Sequence, residues 1–259
     1  MMTTLSSTER HSRNGADGLR IKLFADGAST DQIFKLADDP LIAGFTTNPT
    51  LMRASGVQDY RAFARQLLDR VRTKPISFEV GADEPDEMYN QAKEISSWGR
   101  NVYVKIPVTN TRGESTAQVA RRLSQEGVQV NVTAVFTIDQ VSKTVAALEG
   151  GAASVISVFA GRIADTGRDP VPHMKAAVKA ASHVPTVEVL WASPREVLNL
   201  YQADAAGCQI ITMTADLLAK VQLRGKDLLD YSRETVRMFH SDAQSLGEIL
   251  TRHRERKAA

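Results

Sequence analysis

Short apolar runs rich in β-branched residues occur eight times along this chain of 259 residues, and stretches with helical spacing separate them. Most of the runs are almost continuously apolar, which is typical of parallel strands that are buried on both faces. An alternation that continues along nearly the whole chain favours the α/β class with a parallel sheet. The eight runs are Ile21–Asp26, Ile42–Thr46, Pro75–Val80, Val102–Ile106, Val128–Val135, Ser154–Phe159, Thr186–Trp191 and Gln209–Met213.

The stretches between these runs have the amphipathic pattern of helices. Phe63, Leu67 and Val71, for example, recur at helical spacing in the stretch 59–72. Pro194 suits a first helical turn, so a helix is predicted over 194–203.

Eight such units in one series predict a single-domain (β/α)8 TIM barrel over residues 21–250, with extra C-terminal helices within 217–250. A doubly wound open sheet is the alternative. It is disfavoured because the turn after the first run, 26–29 (DGAS), lacks the glycines of a dinucleotide-binding turn.

Composition narrows the class of partner. The formal net charge is only +2, and the Lys and Arg residues are not gathered into one block, which argues against nucleic acid. No apolar run has the length of a membrane span. Cys208 is the single cysteine, so no intrachain disulfide can form, and a cytoplasmic location is expected. The histidines lack metal-ligand spacing and no cofactor motif occurs, so neither a metal nor an organic cofactor is expected.

The two ends of the chain are expected to lie outside the barrel. Residues 1–20 are polar and lack the apolar stretch of a signal peptide, so a disordered leader is predicted. Residues 251–259 are predicted to be a charged, frayed tail.

The predicted strands are unusually polar where they end, which is where barrel enzymes place their chemistry. Glu79 and Lys105 lie inside apolar strands, where an unpaired charge is costly to bury. Strand parity predicts that both can point into the barrel together with Asp26. The further polar residues at or just after strand ends include Thr46, Asn48, Asn131, Thr133, Ser157, Arg162, Ser193 and Arg195.

Two interpretations of Lys105 remain open on the pattern alone. It can form a structural ion pair with Glu79 or Asp26. Alternatively, burial can keep its amine neutral, so that it attacks a carbonyl and forms an imine. Asp26 likewise has a structural interpretation as a helix cap, for which Ser29 and Thr30 compete.

Five motifs in order resemble those of the transaldolase family, whose compact members are related to fructose-6-phosphate aldolase. The resemblance extends over about 21–220, nearly the whole predicted barrel. Each motif falls at a predicted strand end, and in the family the second contains the active-site lysine. The motifs are Gly44–Thr50 (GFTTNPT), Val102–Pro107 (VYVKIP), Asn131–Phe136 (NVTAVF), Ser157–Ile163 (SVFAGRI) and Ala192–Arg195 (ASPR).

The resemblance implies a catalytic role for four residues. Lys105 would attack the ketone of a ketose phosphate and form a Schiff base, whose iminium accepts electrons when the C3–C4 bond breaks. Asp26 would take the proton of the C4 hydroxyl. Glu79 and Thr133 match the residues that hold the water needed for imine formation.

The resemblance also implies a substrate-binding set. Asn48 and Asn131 match residues that bind the dihydroxyacetone part, with Ser157 beside them. Arg162 matches the family's phosphate-binding arginine, and Arg195 with Ser193 a second phosphate contact. The full set is Thr46, Asn48, Asn131, Ser157, Phe159, Arg162, Ser193 and Arg195.

Two positions distinguish the branches of the family. Fructose-6-phosphate aldolases characteristically have glutamine where this chain has Glu79, and tyrosine where it has Phe159. Both positions favour transfer of a dihydroxyacetone unit over simple cleavage. Pro194 departs from the family, where an aromatic residue is usual, so the phosphate geometry and the sugar can differ.

The implied partners are sugar phosphates and further copies of the chain, since compact family members form oligomers through C-terminal helices. The alternatives are fructose-6-phosphate aldolase-type cleavage, a transaldolase specialised for an unusual sugar, and a non-catalytic barrel that binds sugar phosphates.

Overall fold

The computed structural model describes residues 18–257, with side chains described to residue 246. In this part of the chain eight parallel strands pair in sequence order and close into a barrel, which confirms the predicted (β/α)8 fold. The strands are β1 (Lys22–Asp26), β2 (Ile42–Thr46), β3 (Ile76–Glu79), β4 (Val102–Pro107), β5 (Val130–Val135), β6 (Ser154–Val158), β7 (Val187–Trp191) and β8 (Ile210–Thr214).

Helices follow the strands around the barrel, as the alternation predicted. The helices up to the end of the barrel are α1 (Thr30–Ala37), α2 (Pro49–Ala54), α3 (Tyr60–Arg70), α4 (Pro85–Ser96), α5 (Ala117–Gln125), α6 (Ile138–Leu148), α7 (Ala160–Ala164), α8 (Pro170–Ala181), α9 (Leu198–Ala206) and α10 (Ala215–Lys220).

An apolar cluster fills part of the barrel interior. It contains Phe24, Val155, Leu190 and Ile210, all of them buried. Gly44 on β2 makes room for the largest of these side chains, since a Cβ there would lie 2.5 Å from the Phe24 ring. Packing of this kind fills a barrel interior, and barrel enzymes place their chemistry where the strands end.

The first loop settles the competing interpretations of Asp26. Ser29 begins α1 as its N-cap, and its hydroxyl accepts a hydrogen bond from the backbone N–H of Gln32. The carboxylate of Asp26 is therefore not needed as a cap and is left for the barrel mouth.

The helix predicted over 194–203 begins later than expected. In the structure α9 starts at Leu198, so the placement of Pro194 in its first turn is wrong. The physical reason is a side-chain turn, in which Asn199 Oδ1 accepts the backbone N–H groups of Arg195 (2.7 Å) and Glu196 (3.2 Å).

The chain divides into two compact units between Lys220 and Val221. The second contains a 3₁₀ turn, Val221–Leu223, and one long helix, α11 (Leu228–Lys257). The charged tail predicted for 251–259 continues this helix as far as Lys257, and most of the predicted leader lies outside the described residues. Among the side chains of α11 described up to residue 246, the exposed large apolar ones are Leu228, Leu229, Tyr231, Val236, Met238, Phe239 and Leu246.

Candidate active site

A cavity of about 420 Å³ lies at the carboxyl ends of the strands. Every predicted site residue lines it except Asn131 and Arg195. The lining residues are Asp26, Thr46, Asn48, Pro49, Thr50, Leu51, Glu79, Lys105, Thr133, Ala134, Ser157, Phe159, Arg162, Leu190, Ala192, Ser193 and Thr212.

Lys105 lies on β4 directly opposite Glu79 on β3. Its Nζ is 3.0 Å from Glu79 Oε2 and donates to the carbonyl oxygen of Thr47 at 2.9 Å. The Lys105 side chain is 8% exposed, yet it lines the cavity. Lys105 therefore forms the ion pair with Glu79 and also lies at the cavity, and it must lose a proton before the lone pair of its amine can attack a carbonyl.

Asp26 is held at the end of β1 by its neighbour on β2. The hydroxyl of Thr46 donates to Asp26 Oδ1 at 2.8 Å. Burial raises the pKa of the Asp26 carboxyl above its usual value, and the charge of Lys105 and the Thr46 hydrogen bond oppose the rise. The charge of Glu79 adds to it. A carboxyl with a raised pKa is better matched to proton transfer near neutral pH.

A break in the register of β5 brings two successive residues to the cavity. Ala134 has φ 57°, and the pairing of β5 with β6 shifts between Val132 and Val135. Strict strand alternation would point Thr133 and Ala134 to opposite faces, but with the bulge both line the cavity. The Oγ1 of Thr133 is buried with no hydrogen-bond partner among the described residues. It is thus a polar atom suited to hold water or a substrate hydroxyl.

Asn131 lies behind the cavity wall in a chain of hydrogen bonds. Ser157 Oγ donates to Asn131 Oδ1 at 2.7 Å, and Asn131 Nδ2 donates to Ser77 Oγ at 3.1 Å. All three side chains are buried. These hydrogen bonds hold the Asn131 amide in one orientation. Ser157, at the other end of the hydrogen-bonded series, lines the cavity.

Asn48 serves both the backbone and the cavity. It is the N-cap of α2, where its Oδ1 accepts the backbone N–H of Leu51 at 2.9 Å, and Pro49 follows in the first turn. Since the cap uses only the oxygen, the Nδ2 group remains available to a ligand.

The two predicted phosphate-binding arginines differ in placement. Arg162 on α7 lines the cavity, with its guanidinium 5.5 Å from the centre of the Phe159 ring. Arg195 does not line the cavity and forms an ion pair with Asp165, its Nε lying 3.0 Å from Asp165 Oδ1. The hydrogen bond from Arg195, together with the charges of both arginines, lowers the pKa of Asp165.

Helix α7, which carries Arg162, packs closely against the segment that precedes Arg195. Ser193 has φ 58°, and a Cβ on Gly161 would lie 1.5 Å from the Ser193 carbonyl oxygen. A residue larger than glycine at 161 would therefore displace the segment after β7. The contact sets where Ser193 lies in the cavity.

Sequence reasoning missed three polar residues of this region. Thr212 on β8 lines the cavity and contacts Thr46, Ser77 orients Asn131, and Asp165 holds Arg195. Thr212 had the same signal that singled out Ser157, a hydroxyl inside an apolar run. Ser77 lies two residues before Glu79 and so shares its face.

Fold and cavity together define a (β/α)8 barrel with a buried lysine and two carboxylates at the mouth where such enzymes act. A family model described as Transaldolase/Fructose-6-phosphate aldolase matches residues 23–250. The chain belongs to this family, which confirms the resemblance drawn from the five motifs. As a member of this family, the protein is an enzyme of the transaldolase type.

Curated relatives carry matching names. A "Probable transaldolase" of Dehalococcoides mccartyi is 33% identical over 202 residues, which cover 78% of this chain and 90% of the relative. A "Probable transaldolase" of Lactiplantibacillus plantarum is 34% identical over 202 residues, covering 78% of this chain and 88% of the relative. The family match and these relatives support transaldolase activity.

Solved structures resemble the fold alone. A HpcH/HpaI aldolase/citrate lyase family protein from Burkholderia cenocepacia has a TM-score of 0.54 at 16% identity, covering 88% of this chain and 98% of the other. A 2,3-dimethylmalate lyase has a TM-score of 0.53 at 11% identity, covering 94% and 89%. Within the described residues, no helix combines the length and apolar character that crossing a membrane requires.

Proposed function

We propose that the protein is a transaldolase that moves a dihydroxyacetone unit from a ketose phosphate to an aldose phosphate through an imine on Lys105. The observation that carries this proposal is the buried Lys105 amine, 3.0 Å from Glu79 and open to a cavity that Asp26 also lines. Donors such as fructose 6-phosphate or sedoheptulose 7-phosphate fit the family.

The first half-reaction uses Lys105 and Asp26. Lys105 gives a proton to Glu79, 3.0 Å away, and the neutral amine attacks the C2 carbonyl. The carbinolamine then takes that proton back on its hydroxyl and loses water to give an iminium ion. Asp26 then takes the C4 hydroxyl proton, the C3–C4 bond breaks, and its electron pair neutralises the iminium as an enamine. The aldose phosphate leaves. An acceptor aldehyde reverses these steps, and hydrolysis of the new imine frees Lys105 and the new ketose.

Proton movement during imine formation falls to Glu79 and Thr133. Glu79 lies against the Lys105 amine, and Thr133 presents an unpartnered buried hydroxyl to the same cavity. A water between them would accept and return protons as the carbinolamine dehydrates. The fixed Asn131–Ser157 pair and the free Nδ2 of Asn48 supply polar groups for the dihydroxyacetone hydroxyls.

Phe159 is expected to preserve the enamine for transfer. Its phenyl ring lines the cavity and has no proton to donate. With fructose 6-phosphate and erythrose 4-phosphate, transfer is expected to exceed release of free dihydroxyacetone. Phe159→Tyr places an O–H there and is expected to raise release by roughly 100-fold, the lower end of the contribution of a positioned general acid.

The matched control is Phe136→Tyr, since Phe136 packs 5.6 Å from Phe159, centre to centre, but does not line the cavity. It should leave the ratio of release to transfer unchanged. Dominant release by the wild type would instead favour an aldolase of the fructose-6-phosphate type.

Arg162 is expected to be the principal phosphate contact. Arg162→Ala should raise KM for a phosphorylated donor by roughly 10- to 100-fold, because a charge-assisted hydrogen bond contributes about 1.5–3 kcal/mol. Arg195→Ala should have a smaller effect, since Asp165 already engages that guanidinium. KM is measured for fructose 6-phosphate and for unphosphorylated fructose.

Arg168→Ala serves as the control, because Arg168 is an exposed arginine that bonds Thr166 and does not line the cavity. Equal losses for the phosphorylated and the unphosphorylated sugar in Arg162→Ala would show that Arg162 does not select phosphate.

We place the protein in the cytoplasm as a homo-oligomer, with a single catalytic barrel extended by C-terminal helices. The exposed apolar side chains of α11, among them Leu228 and Phe239, support an association between copies. Light scattering of the full chain measures the assembly.

A further inference from the structure

We propose that Thr212 is a positioning residue for the acid/base group: its hydroxyl donates to Thr46, which in turn donates to Asp26. The inference rests on the proposed function, because it concerns the group that takes the C4 hydroxyl proton. None of the five family-like motifs contains Thr212.

The barrel places the three side chains side by side. β1 lies between β2 and β8, and Thr46 is the partner of Asp26 on β2. On β8 the partner of Asp26 is Thr214, and Thr212 lies two residues earlier, opposite Phe24, from where its hydroxyl reaches Thr46. Thr46 and Thr212 are 4% and 5% exposed, and both line the cavity. Thr46 Oγ1 is 2.8 Å from Asp26 Oδ1 and forms a short hydrogen bond with Thr212 Oγ1.

The number of hydrogens on each group determines which one donates in the two hydrogen bonds that link Thr212, Thr46 and Asp26. A threonine hydroxyl has one hydrogen to donate and two lone pairs that accept. Thr46 gives its hydrogen to the Asp26 carboxylate, so the hydrogen between the two threonines comes from Thr212. A hydroxyl that accepts one bond is a stronger donor in the next, so Thr212 strengthens the hold of Thr46 on Asp26.

The chain can also reverse. When Asp26 has taken the substrate proton, its carboxyl becomes a donor to Thr46, the hydrogen of Thr46 turns to Thr212, and the hydrogen of Thr212 turns towards the cavity that Thr212 lines. Both protonation states of Asp26 then keep a hydrogen-bond partner without movement of the carboxyl. This matters for a group that must accept a proton in one half-reaction and return it in the other.

The charged groups that face Asp26 come from other strands. Lys105 on β4 favours the carboxylate, and Glu79 on β3 opposes it. Thr46 on β2 contacts the carboxyl directly, and Thr212 on β8 acts through Thr46. A substitution of Thr212 leaves both charges in place, so a change in the titration of Asp26 would report the hydroxyl chain.

The test is a pH profile of Thr212→Val, which keeps the shape and removes the hydroxyl. We expect kcat to fall by roughly 3- to 10-fold, because one link of a cooperative chain is lost. The acidic limb of kcat/KM should move to higher pH, since a weaker Thr46 bond favours the protonated carboxyl. KM for fructose 6-phosphate should change less than kcat.

Two further variants distinguish loss of the Thr212 hydroxyl from a disturbance of packing by the valine. Thr212→Ser retains the hydroxyl and should restore both kcat and the acidic limb. Thr214→Val is the matched control two residues along the same strand, because the Thr214 hydroxyl bonds Asp216 and not Asp26. It should leave the acidic limb unmoved.

The outcomes separate this inference from the proposed function. An acidic limb that stays in place in Thr212→Val, or a loss that serine does not restore, would overturn the role of Thr212. Borohydride trapping of the wild type with fructose 6-phosphate reports the Lys105 imine separately. Absence of an adduct there would overturn the proposed function and with it this inference.

Discussion

Replacement of Lys105 by methionine is expected to lower kcat/KM by roughly 10⁴-fold or more, the scale on which loss of a covalent nucleophile acts. Methionine keeps most of the buried stem but cannot form an imine. Without the iminium, the electron pair of the breaking C3–C4 bond has no acceptor. Steady-state transfer from fructose 6-phosphate to erythrose 4-phosphate measures the loss.

Chemical trapping tests the same residue directly. The wild type incubated with fructose 6-phosphate and borohydride should gain one reduced adduct on Lys105, visible by peptide mass spectrometry, and Lys105→Met should gain none. A barrel that only binds sugar phosphates would give no adduct in either protein. That result would refute the proposed mechanism.

Lys22 is a matched control for this experiment. Its Nζ lies 2.6 Å from Glu188 Oε2, an ion pair like that of Lys105 and Glu79, but at the first residue of β1 and outside the cavity. Lys22→Met should retain both the adduct and the activity. Lys105→Met is expected to melt at a lower temperature because Glu79 loses its partner, so both are assayed below the transition.

Replacement of Asp26 by asparagine is expected to lower kcat by roughly 10²- to 10⁴-fold, the usual contribution of a positioned acid/base group. An amide has nearly the same shape but cannot take the C4 hydroxyl proton. KM for the donor should change much less, because the contacts that hold its other hydroxyl groups remain. The exposed Asp216→Asn is the control and should keep the wild-type rate.

The pH dependence follows from the direction of the Asp26 shift. Asp26 must be ionised to act as the base, and burial raises its pKa above the usual 3.8. Activity should therefore rise with pH through that raised pKa and fail at a higher pH than for an exposed aspartate. Asp26→Asn should lose this limb, and a variant that keeps both the limb and the rate would exclude Asp26 as the base.

The raised pKa of Asp26 should also make the fold less stable as the pH rises, whereas activity increases over the same range. Because the folded pKa of Asp26 is raised, the stability associated with its neutral form is present below pH 3.8 and is lost as the pH rises through the raised value. At neutral pH the buried carboxylate therefore destabilises the fold. Asp26→Asn should melt no lower than the wild type there, which separates lost chemistry from unfolding.

Much of the architecture could be read from local patterns. A parallel strand with helices outside and a packed barrel inside is apolar on both faces, so the eight runs predicted the eight strands. Parity along single strands also placed Asp26, Glu79 and Lys105 on the inner face. That argument needs only the two-residue repeat of a strand and no knowledge of its neighbours.

Contacts between distant segments could not be read in this way. Pro194 was compatible with a helix start, but the Asn199 side chain forms a turn with the backbone before Leu198. Arg195 matched a phosphate-binding position, but Asp165, 30 residues earlier, engages its guanidinium. Each outcome depends on which groups folding brings within hydrogen-bond distance.

The chain's sequence by itself determined the barrel, the end at which the cavity lies and the identity of the buried lysine, because alternation and strand parity are properties of single segments. Tertiary structure decided the partners of the charged groups. Closure of the barrel places β8 beside β1, so Thr212 and Thr46, 166 residues apart, share a hydrogen bond next to Asp26. Register decided that Glu79 lies opposite Lys105, since strand pairing sets which buried charges meet.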